Sequence, residues 1–193
     1  MTKPLPDGHG AYVLIEAQGT SVESDQEHFE RVLSAALETG IVEDVVLARS
    51  ESDALRLWAV RDSSGEFRAV FWPHVGFDVS IPTAKLGDFV DSLKTKLRDK
   101  WANTQTVFFG HVGDSNVHIG VKVVDGPQPE EEIEYLVYSF VGEWGGSISA
   151  EHGIGTLKRD FLQHSRSEAE ISTMRLLKKA LDPQGILNPG KVI

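Results

Sequence analysis

The sequence predicts an α+β domain with a largely antiparallel sheet and helices packed on one face, arranged as a ferredoxin-like duplication. Strand-like and helix-like segments alternate in two similar runs along the 193 residues. Apolar side chains recur at helical spacing in some segments and at every second position in others, as in residues 117–123. A hydrophobic content of 40% is enough for an ordinary buried core. We therefore expect a single domain over residues 1–193.

Three segments of the first half resemble strands. Residues 11–17 and 44–48 are short and rich in β-branched side chains, which favours extended structure. Residues 67–81 form a longer β-like stretch, in which Pro73 argues for an edge strand or a bulge. These segments would supply the sheet of the first run.

Helices are predicted wherever apolar residues follow the helical period. Residues 23–39 have acidic side chains in the first turn and a glycine after the end. A second helix should begin after Ser50 and Asp53, which resemble a capping box, and end near residues 63–65. Further helices are expected from Pro82 onward, over residues 130–144, and from a cap at Ser165 with Glu168 through Leu181.

Between these helices the second half contains two predicted strands joined by a loop. One strand ends at residues 107–109, and residues 113–116, Gly-Asp-Ser-Asn, are typical of a chain reversal. The next strand places four apolar side chains on one face between residues 117 and 123. Because successive side chains of a strand alternate, His118 must point to the other face.

Composition excludes several classes of function. The chain has 29 acidic and 19 basic residues and a net charge of -10, which disfavours a nucleic-acid groove or an anionic membrane surface. It has no cysteine, so thiolate nucleophiles, disulfides and iron–sulfur sites are excluded, and His, Asp and Glu remain as strong metal ligands. No apolar run reaches the roughly 20 residues of a membrane span, and no secretory signal is apparent. The expected location is the cytoplasm, with peripheral membrane contact only through an electron acceptor.

Two histidines flank the predicted loop and are candidate metal ligands. On a straight strand His111 and His118 would face opposite sides, so both can reach one ion only if the loop reverses the chain. Glu151 is the candidate third ligand, which would leave an open position for water or substrate. The alternative is two hydrogen-bonding loop histidines without a metal.

Other residues near these candidates could take part in the chemistry. His152 is adjacent to Glu151 and could accept a proton from an alcohol acidified by the metal. Arg61 could bind a substrate carboxylate in bidentate fashion or could be an ordinary charge at a helix end. Asp114 could stabilise its own loop or hydrogen-bond to a liganding histidine.

Several motifs resemble the C-terminal domain of FAD-linked oxidases. They are Gly-His-Val-Gly-Asp-Ser-Asn-Val-His at 110–118, Ser-Ala-Glu-His-Gly-Ile-Gly at 149–155 with Lys158, Leu-Asp-Pro at 181–183 and Asn-Pro-Gly-Lys at 188–191. The family includes D-2-hydroxyglutarate dehydrogenase, D-lactate dehydrogenase and the glycolate oxidase flavoprotein subunit. The resemblance covers nearly the whole chain.

This resemblance implies a substrate domain that closes over FAD held by a separate N-terminal domain, which we expect to be absent from this chain. In metal-dependent members, the residues matching His111, His118 and Glu151 bind a divalent ion such as zinc. The residue matching His152 lies near the flavin as the base. The match to residues 57–61 makes Arg61 a carboxylate clamp.

By the same likeness, Asn188 lies close to the flavin.

Four departures from the family pattern bear on loop geometry and substrate. Ser115 stands where the loop usually has glycine. Where hydroxyglutarate-type members carry Lys, Thr and Asn, this chain has Gly76, Gly65 and Gly120. We therefore expect a generic D-2-hydroxy acid as substrate rather than hydroxyglutarate.

The expected activity of the parent enzyme is oxidation of a 2-hydroxy acid to the 2-oxo acid, with hydride transfer to FAD. This chain alone should have no redox activity. Its expected partners are an FAD-binding domain or subunit, the hydroxy acid, an electron acceptor and a second copy in a homodimer. Two alternatives are a metal-dependent hydrolase and a non-catalytic metal-binding or docking module.

Overall fold

A computed structural model describes residues 4–193 and contains six α-helices and three strands within that range. The described residues divide into two compact units, one that ends at Val70 and one that begins at Phe71. The helices are α1 Val22–Glu38, α2 Glu51–Asp62, α3 Phe67–Phe71, α4 Leu86–Lys100, α5 Glu130–Glu143 and α6 Glu168–Leu181, and the strands are β1 Val75–Ser80, β2 Thr104–Phe109 and β3 Asn116–Val123.

The sheet lies in the second unit and has the order β1-β3-β2, with both pairs antiparallel. The α+β class and the antiparallel sheet are therefore confirmed. Among the described residues this is one sheet of three strands, without the second sheet that a duplication would supply. The difference arises in the first half, where the expected strands do not form.

The strand predictions for residues 11–17 and 44–48 were wrong, because both segments lack regular structure. An extended segment is stable only when its backbone groups pair with a neighbouring strand, and no such partner occurs within residues 4–193. The side chains of residues 11–17 are consequently exposed, with Val13 at 79%, and those of residues 44–48 are exposed or only partly buried.

The predicted β-like stretch at residues 67–81 divides in two. Its first part is the short helix α3, and only residues from Val75 onward form β1. Period-two alternation marks the second part alone, which explains why the first part does not pair.

The helix predictions agree more closely with the structure. Ser50 accepts a hydrogen bond from the backbone of Asp53 at the start of α2, as expected. The cap of α6 is Ser167 with Glu170, not Ser165 with Glu168. The Ser165 hydroxyl instead accepts a hydrogen bond from the backbone N–H of Ile148.

The core packs α4 and α5 against one face of the sheet. Phe89 and Leu93 of α4 and Val137 of α5 are fully buried, and they pack with the inward-facing residues of β1 and β3. The rings of Phe77 and Tyr138 meet at 5.2 Å. This packing fixes the sheet, so the opposite face, which carries Asp78 and His118, has a defined geometry.

Candidate functional site

The loop between β2 and β3 reverses the chain, as the sequence predicts. The backbone oxygen of His111 accepts hydrogen bonds from the N–H groups of Asp114 and Asn116, both at 3.2 Å. A Cβ atom on Gly110 would lie 2.4 Å from the backbone oxygen of Asn116, so this close approach requires glycine. The turn places His111 beside the start of β3.

Ser115 adopts the left-handed conformation, with a φ of 66°. This position therefore favours glycine, which is the usual residue in the family that the motif resembles. The Ser115 hydroxyl lies 2.9 Å from the hydroxyl of Thr83, and this contact helps to hold the turn. The departure from glycine leaves the reversal of the loop intact.

The segment that carries Glu151 and His152 has no helix or strand of its own. It follows a single β-bridge between Ser80 and Ser147, which attaches it to the end of β1. The carboxylate of Asp78 accepts hydrogen bonds from the N–H groups of Glu151, at 3.0 Å, and of His152, at 2.9 Å. Asp78 thus holds the segment by its backbone.

Asp78 is 3% exposed and lies opposite His118 in the register of the sheet. Burial alone would raise the pKa of Asp78, but the hydrogen bonds from the His152 and Glu151 amides and the charge of Lys158 outweigh it and lower that pKa below its ordinary value. The Lys158 ammonium lies 3.6 Å from the carboxylate. Burial lowers the pKa of Lys158, although Asp78 acts in the opposite direction.

The candidate ligands fall into two clusters that share Glu151. Ligand atoms of His111, Asp114 and Glu151 lie within 4.8 Å of one another, and so do those of Asp78, Glu151 and His152. The structure therefore brings His111 and Glu151 together, as predicted. His118 is in neither cluster within the described residues.

His118 lies instead on the side of Asp78 and His152. Its Nδ1 atom is 4.0 Å from the Asp78 carboxylate, and its ring centroid is 6.1 Å from that of His152. The Nδ1 atom of His152 is 3.7 Å from the same carboxylate. Both imidazoles therefore face one buried anion, and His152 remains the more exposed of the two.

Asn116 connects the start of β3 with the segment that carries Glu151. Its side-chain amide donates a hydrogen bond to Oε1 of Glu151, at 2.5 Å, and its own Oδ1 is buried without a hydrogen-bond partner. A buried oxygen without a partner is uncommon and is a ready acceptor for a bound cation or water. Together with the nitrogen and oxygen donors of His111, Asp114 and Glu151, it suits a divalent cation such as zinc.

Asp78 already has several hydrogen-bond donors, whereas the cluster around His111 has fewer. Two backbone amides and the hydroxyl of Ser149 donate to the Asp78 carboxylate, and Lys158 offsets its charge. Such a carboxylate has little remaining capacity for an ion. The cluster of His111, Asp114 and Glu151 is therefore the better candidate metal centre.

Arg61 and Asn188 lie away from these clusters in the sequence. Arg61 is in the last turn of α2, is exposed, and pairs with Asp62 at 3.3 Å. Asn188 adopts a positive φ of 45° and lines an open groove of about 620 Å³ with residues of α6 and the C-terminal tail. Asp114 stabilises its own loop, because its carboxylate accepts a hydrogen bond from the backbone N–H of Asn116 at 3.2 Å.

Sequence reasoning missed Asp78 and Asn116. The alternation of Phe77, Val79 and Ile81 does indicate that Asp78 points away from the core. It does not reveal the strand register, which places Asp78 opposite His118. Asn116 looked like a turn residue because it ends a Gly-Asp-Ser-Asn loop.

Fold and site together define a domain that gathers histidine and carboxylate side chains able to hold a metal ion, beside an antiparallel sheet whose other face packs on helices. The sequence matches the family described as FAD linked oxidases, C-terminal domain, over residues 1–192. The chain belongs to this family. Among residues 4–193, no helix has the length and apolar character needed to cross a membrane.

Curated relatives agree with this assignment. A probable mitochondrial D-2-hydroxyglutarate dehydrogenase of Oryza sativa subsp. indica is 35% identical over 192 residues, which are 98% of this chain and 34% of the relative. A putative mitochondrial D-lactate dehydrogenase of Schizosaccharomyces pombe is 37% identical over 99% of this chain and 38% of its own length.

A bacterial D-2-hydroxyglutarate dehydrogenase, from Stutzerimonas stutzeri, is 34% identical over 94% of this chain and 40% of its own length. The chain thus spans between about a third and two fifths of the relatives that it matches.

Proposed function

We propose that this chain is the substrate and metal domain of a flavin-dependent dehydrogenase that oxidises a D-2-hydroxy acid to the 2-oxo acid. The observation that carries the proposal is the position of Glu151, which lies within ligand distance of His111 on one side and is followed by His152 on the other. The family assignment and the names of the relatives support the same chemistry.

His111 and Glu151 are the core of the proposed metal site, with zinc as the proposed ion. His118 is the third ligand that the family resemblance implies, and Asp114 is the residue whose carboxylate lies within 4.8 Å of the ligand atoms of both His111 and Glu151. A divalent ion bound here would act as a Lewis acid, which lowers the pKa of the substrate hydroxyl. Asn116 holds one oxygen of Glu151 by a hydrogen bond and so orients the carboxylate.

His152 is the proposed base. The side chain is 68% exposed, so a substrate can reach it. Its Nδ1 atom faces the Asp78 carboxylate, which favours the tautomer with the proton on Nδ1. Nε2 then has a free lone pair that can accept the hydroxyl proton while the hydride leaves from the substrate carbon.

Arg61 and Asn188 complete the proposal. The guanidinium of Arg61 would bind the substrate carboxylate, for which its planar donors are well suited. Asn188 would lie near the flavin, which an N-terminal FAD-binding domain or subunit would hold. A cytoplasmic location and a homodimer are also proposed, although two of the relatives are named as mitochondrial.

Two glycines lie on the same face of the sheet as Asp78 and His118. Gly76 and Gly120 are direct partners in the register of β1 and β3, next to the pair of Asp78 and His118. Neither glycine offers a charged group to a second carboxylate. This supports a 2-hydroxy acid with a small or uncharged side chain, such as D-lactate, over D-2-hydroxyglutarate.

Anaerobic flavin bleaching in the complete flavoprotein tests the proposal. We expect D-lactate to bleach the flavin absorbance and L-lactate to leave it unchanged. His152→Ala should keep flavin and metal but slow bleaching by at least about 100-fold, as expected for loss of a general base. The matched control is His28→Ala, because His28 is an exposed residue of α1.

Bleaching at an unchanged rate in His152→Ala would contradict the role of this histidine. Failure of every D-2-hydroxy acid to reduce the flavin would contradict the proposed function as a whole.

A further inference from the structure

We propose that Asp78 is a positioning residue that holds Glu151 and His152 in place, with Lys158 as its counter-ion. The inference rests on the proposed function, since it assigns Glu151 to the metal and His152 to the proton. It adds Asp78 of β1, a residue to which the sequence assigns no chemical role. Its basis is a set of hydrogen bonds that one irregular segment donates to one buried carboxylate.

Asp78 contacts three consecutive residues of that segment through their backbone. Its own backbone oxygen accepts from the N–H of Ala150 at 3.3 Å, and its carboxylate accepts from the N–H groups of Glu151 and His152. Because the segment has no helix or strand to fix it, these bonds orient the peptide planes of residues 150–152 in the described structure.

The orientation matters for the two side chains. With both amides turned toward Asp78, the Glu151 carboxylate reaches Asn116 and His111, and the His152 ring reaches His118. A change in the peptide planes would move a ligand and a base together. One buried anion therefore controls both the proposed metal ligand and the proposed proton acceptor.

Lys158 offsets the free-energy cost of burying the charged Asp78 carboxylate. Its ammonium is 3.6 Å from Oδ2 of Asp78, and it donates hydrogen bonds to the Asp78 backbone oxygen and the Ser149 hydroxyl, both at 3.1 Å. Apolar residues of similar size often replace a buried ion pair without loss of stability. Stability alone therefore gives little reason for this pair, whereas orientation of the segment does.

A stabilising role and an orienting role of the Asp78–Lys158 pair predict different results when the pair is removed. The double variant Asp78→Val with Lys158→Met removes the ion pair as a unit and should still fold, because no charge is left unpaired. Because valine has no polar side-chain atom, the double variant also removes the carboxylate that accepts hydrogen bonds from the Glu151 and His152 amides. The single variant Lys158→Met keeps the acceptors, and Asp160→Asn is the control for an exposed carboxylate, since Asp160 is 81% exposed.

Two measurements are made on the whole 193-residue chain. Hydrogen exchange of the Glu151 and His152 amides reports the orientation of the segment, and titration with Zn²⁺ reports the proposed ligand. In the double variant we expect exchange of both amides to accelerate at least about tenfold and the affinity for Zn²⁺ to fall about 10- to 100-fold, as for other changes behind a metal ligand.

Lys158→Met should lose stability but keep amide protection, and Asp160→Asn should match the wild type in both measurements. A folded double variant with unchanged amide exchange would overturn the inference, and so would one with wild-type affinity for Zn²⁺. If the wild-type chain binds no Zn²⁺, the proposed metal fails, and the amide exchange then decides the positioning role by itself. Asp78→Asn gives a second, isosteric variant should the double variant not fold.

Discussion

The two units of this chain contain helices of similar sequence pattern but very different burial. In α4 of the second unit, the apolar stripe includes Phe89, Leu93 and Leu97, all fully buried. In α1 of the first unit, the stripe is just as regular, yet no residue of that helix is buried. None of the described residues from 4 to 70 is buried.

This comparison shows what an amphipathic pattern means. Periodicity tells us that a helix has an apolar face, but stability comes from the surface that covers this face. The second unit supplies that surface with its own sheet. In the first unit the apolar face of α1 is only partly covered, and the segment at residues 11–17 exposes Tyr12, Val13 and Ile15.

The largest expected effect is on the core of the second unit. Leu93→Ala should lower the free energy of unfolding by about 2–5 kcal/mol, because it removes a fully buried side chain and leaves a cavity. Leu37→Ala, the matched change on α1, should cost less than about 1 kcal/mol, because Leu37 is 41% exposed. Urea unfolding followed by circular dichroism measures both.

Equal losses of unfolding free energy in Leu93→Ala and Leu37→Ala would contradict the expected difference between the two units. Such a result would show that the apolar face of α1 is covered in solution, as it would be against a second copy or a partner chain. Sedimentation of the wild-type chain at several concentrations would then distinguish a homodimer from a monomer with a rearranged first unit.

A smaller effect concerns two carboxylates with lowered pKa values, one in each unit. Hydrogen bonds from Lys178 and from the amides of Leu187 and Ile186 lower the pKa of Asp182, and those from Ser50, Arg56 and Arg49 lower the pKa of Asp53. A carboxylate with a lowered pKa stabilises the fold above its unfolded pKa, about 3.9, and loses this contribution as the pH falls through its folded pKa.

Asp182→Asn should therefore lower the melting temperature at about pH 7, and the difference from wild type should shrink as the solution is made more acidic than the unfolded pKa. Asp53→Asn should follow the same trend with a smaller change, since Asp182 is only 7% exposed and asparagine keeps one acceptor oxygen for the two backbone amides of the C-terminal turn that now bind two. A larger change in Asp53→Asn would reverse the expected order of the two units.

Prediction from sequence succeeded where local rules decide the structure. The helices at α1, α4 and α5, the turn after His111 and the outward direction of His118 follow from spacing and residue type. The strand predictions at residues 11–17 and 44–48 failed because strand formation requires a partner, which β-branched composition does not provide. Helices make their own hydrogen bonds and are therefore easier to predict.

In the candidate site, too, local motifs were predictable and long-range contacts were not. Motifs identified His111, Glu151 and His152 as candidates, and the structure places the first two within ligand distance. The role of Asp78 depends on the pairing of β1 with β3 and on the path of an irregular segment. Neither follows from local sequence, so the partners that orient the candidates become visible only in three dimensions.

The most direct test of the central claim is a calorimetric titration of the wild-type chain with Zn²⁺, compared with Glu151→Gln. Glu151 belongs to both ligand clusters, so we expect one bound ion per wild-type chain and at least about a tenfold loss of affinity in the variant. The control is Glu143→Gln, an exposed carboxylate at the end of α5. Equal affinity in Glu151→Gln and wild type, or no binding by the wild type, would contradict the proposed metal centre.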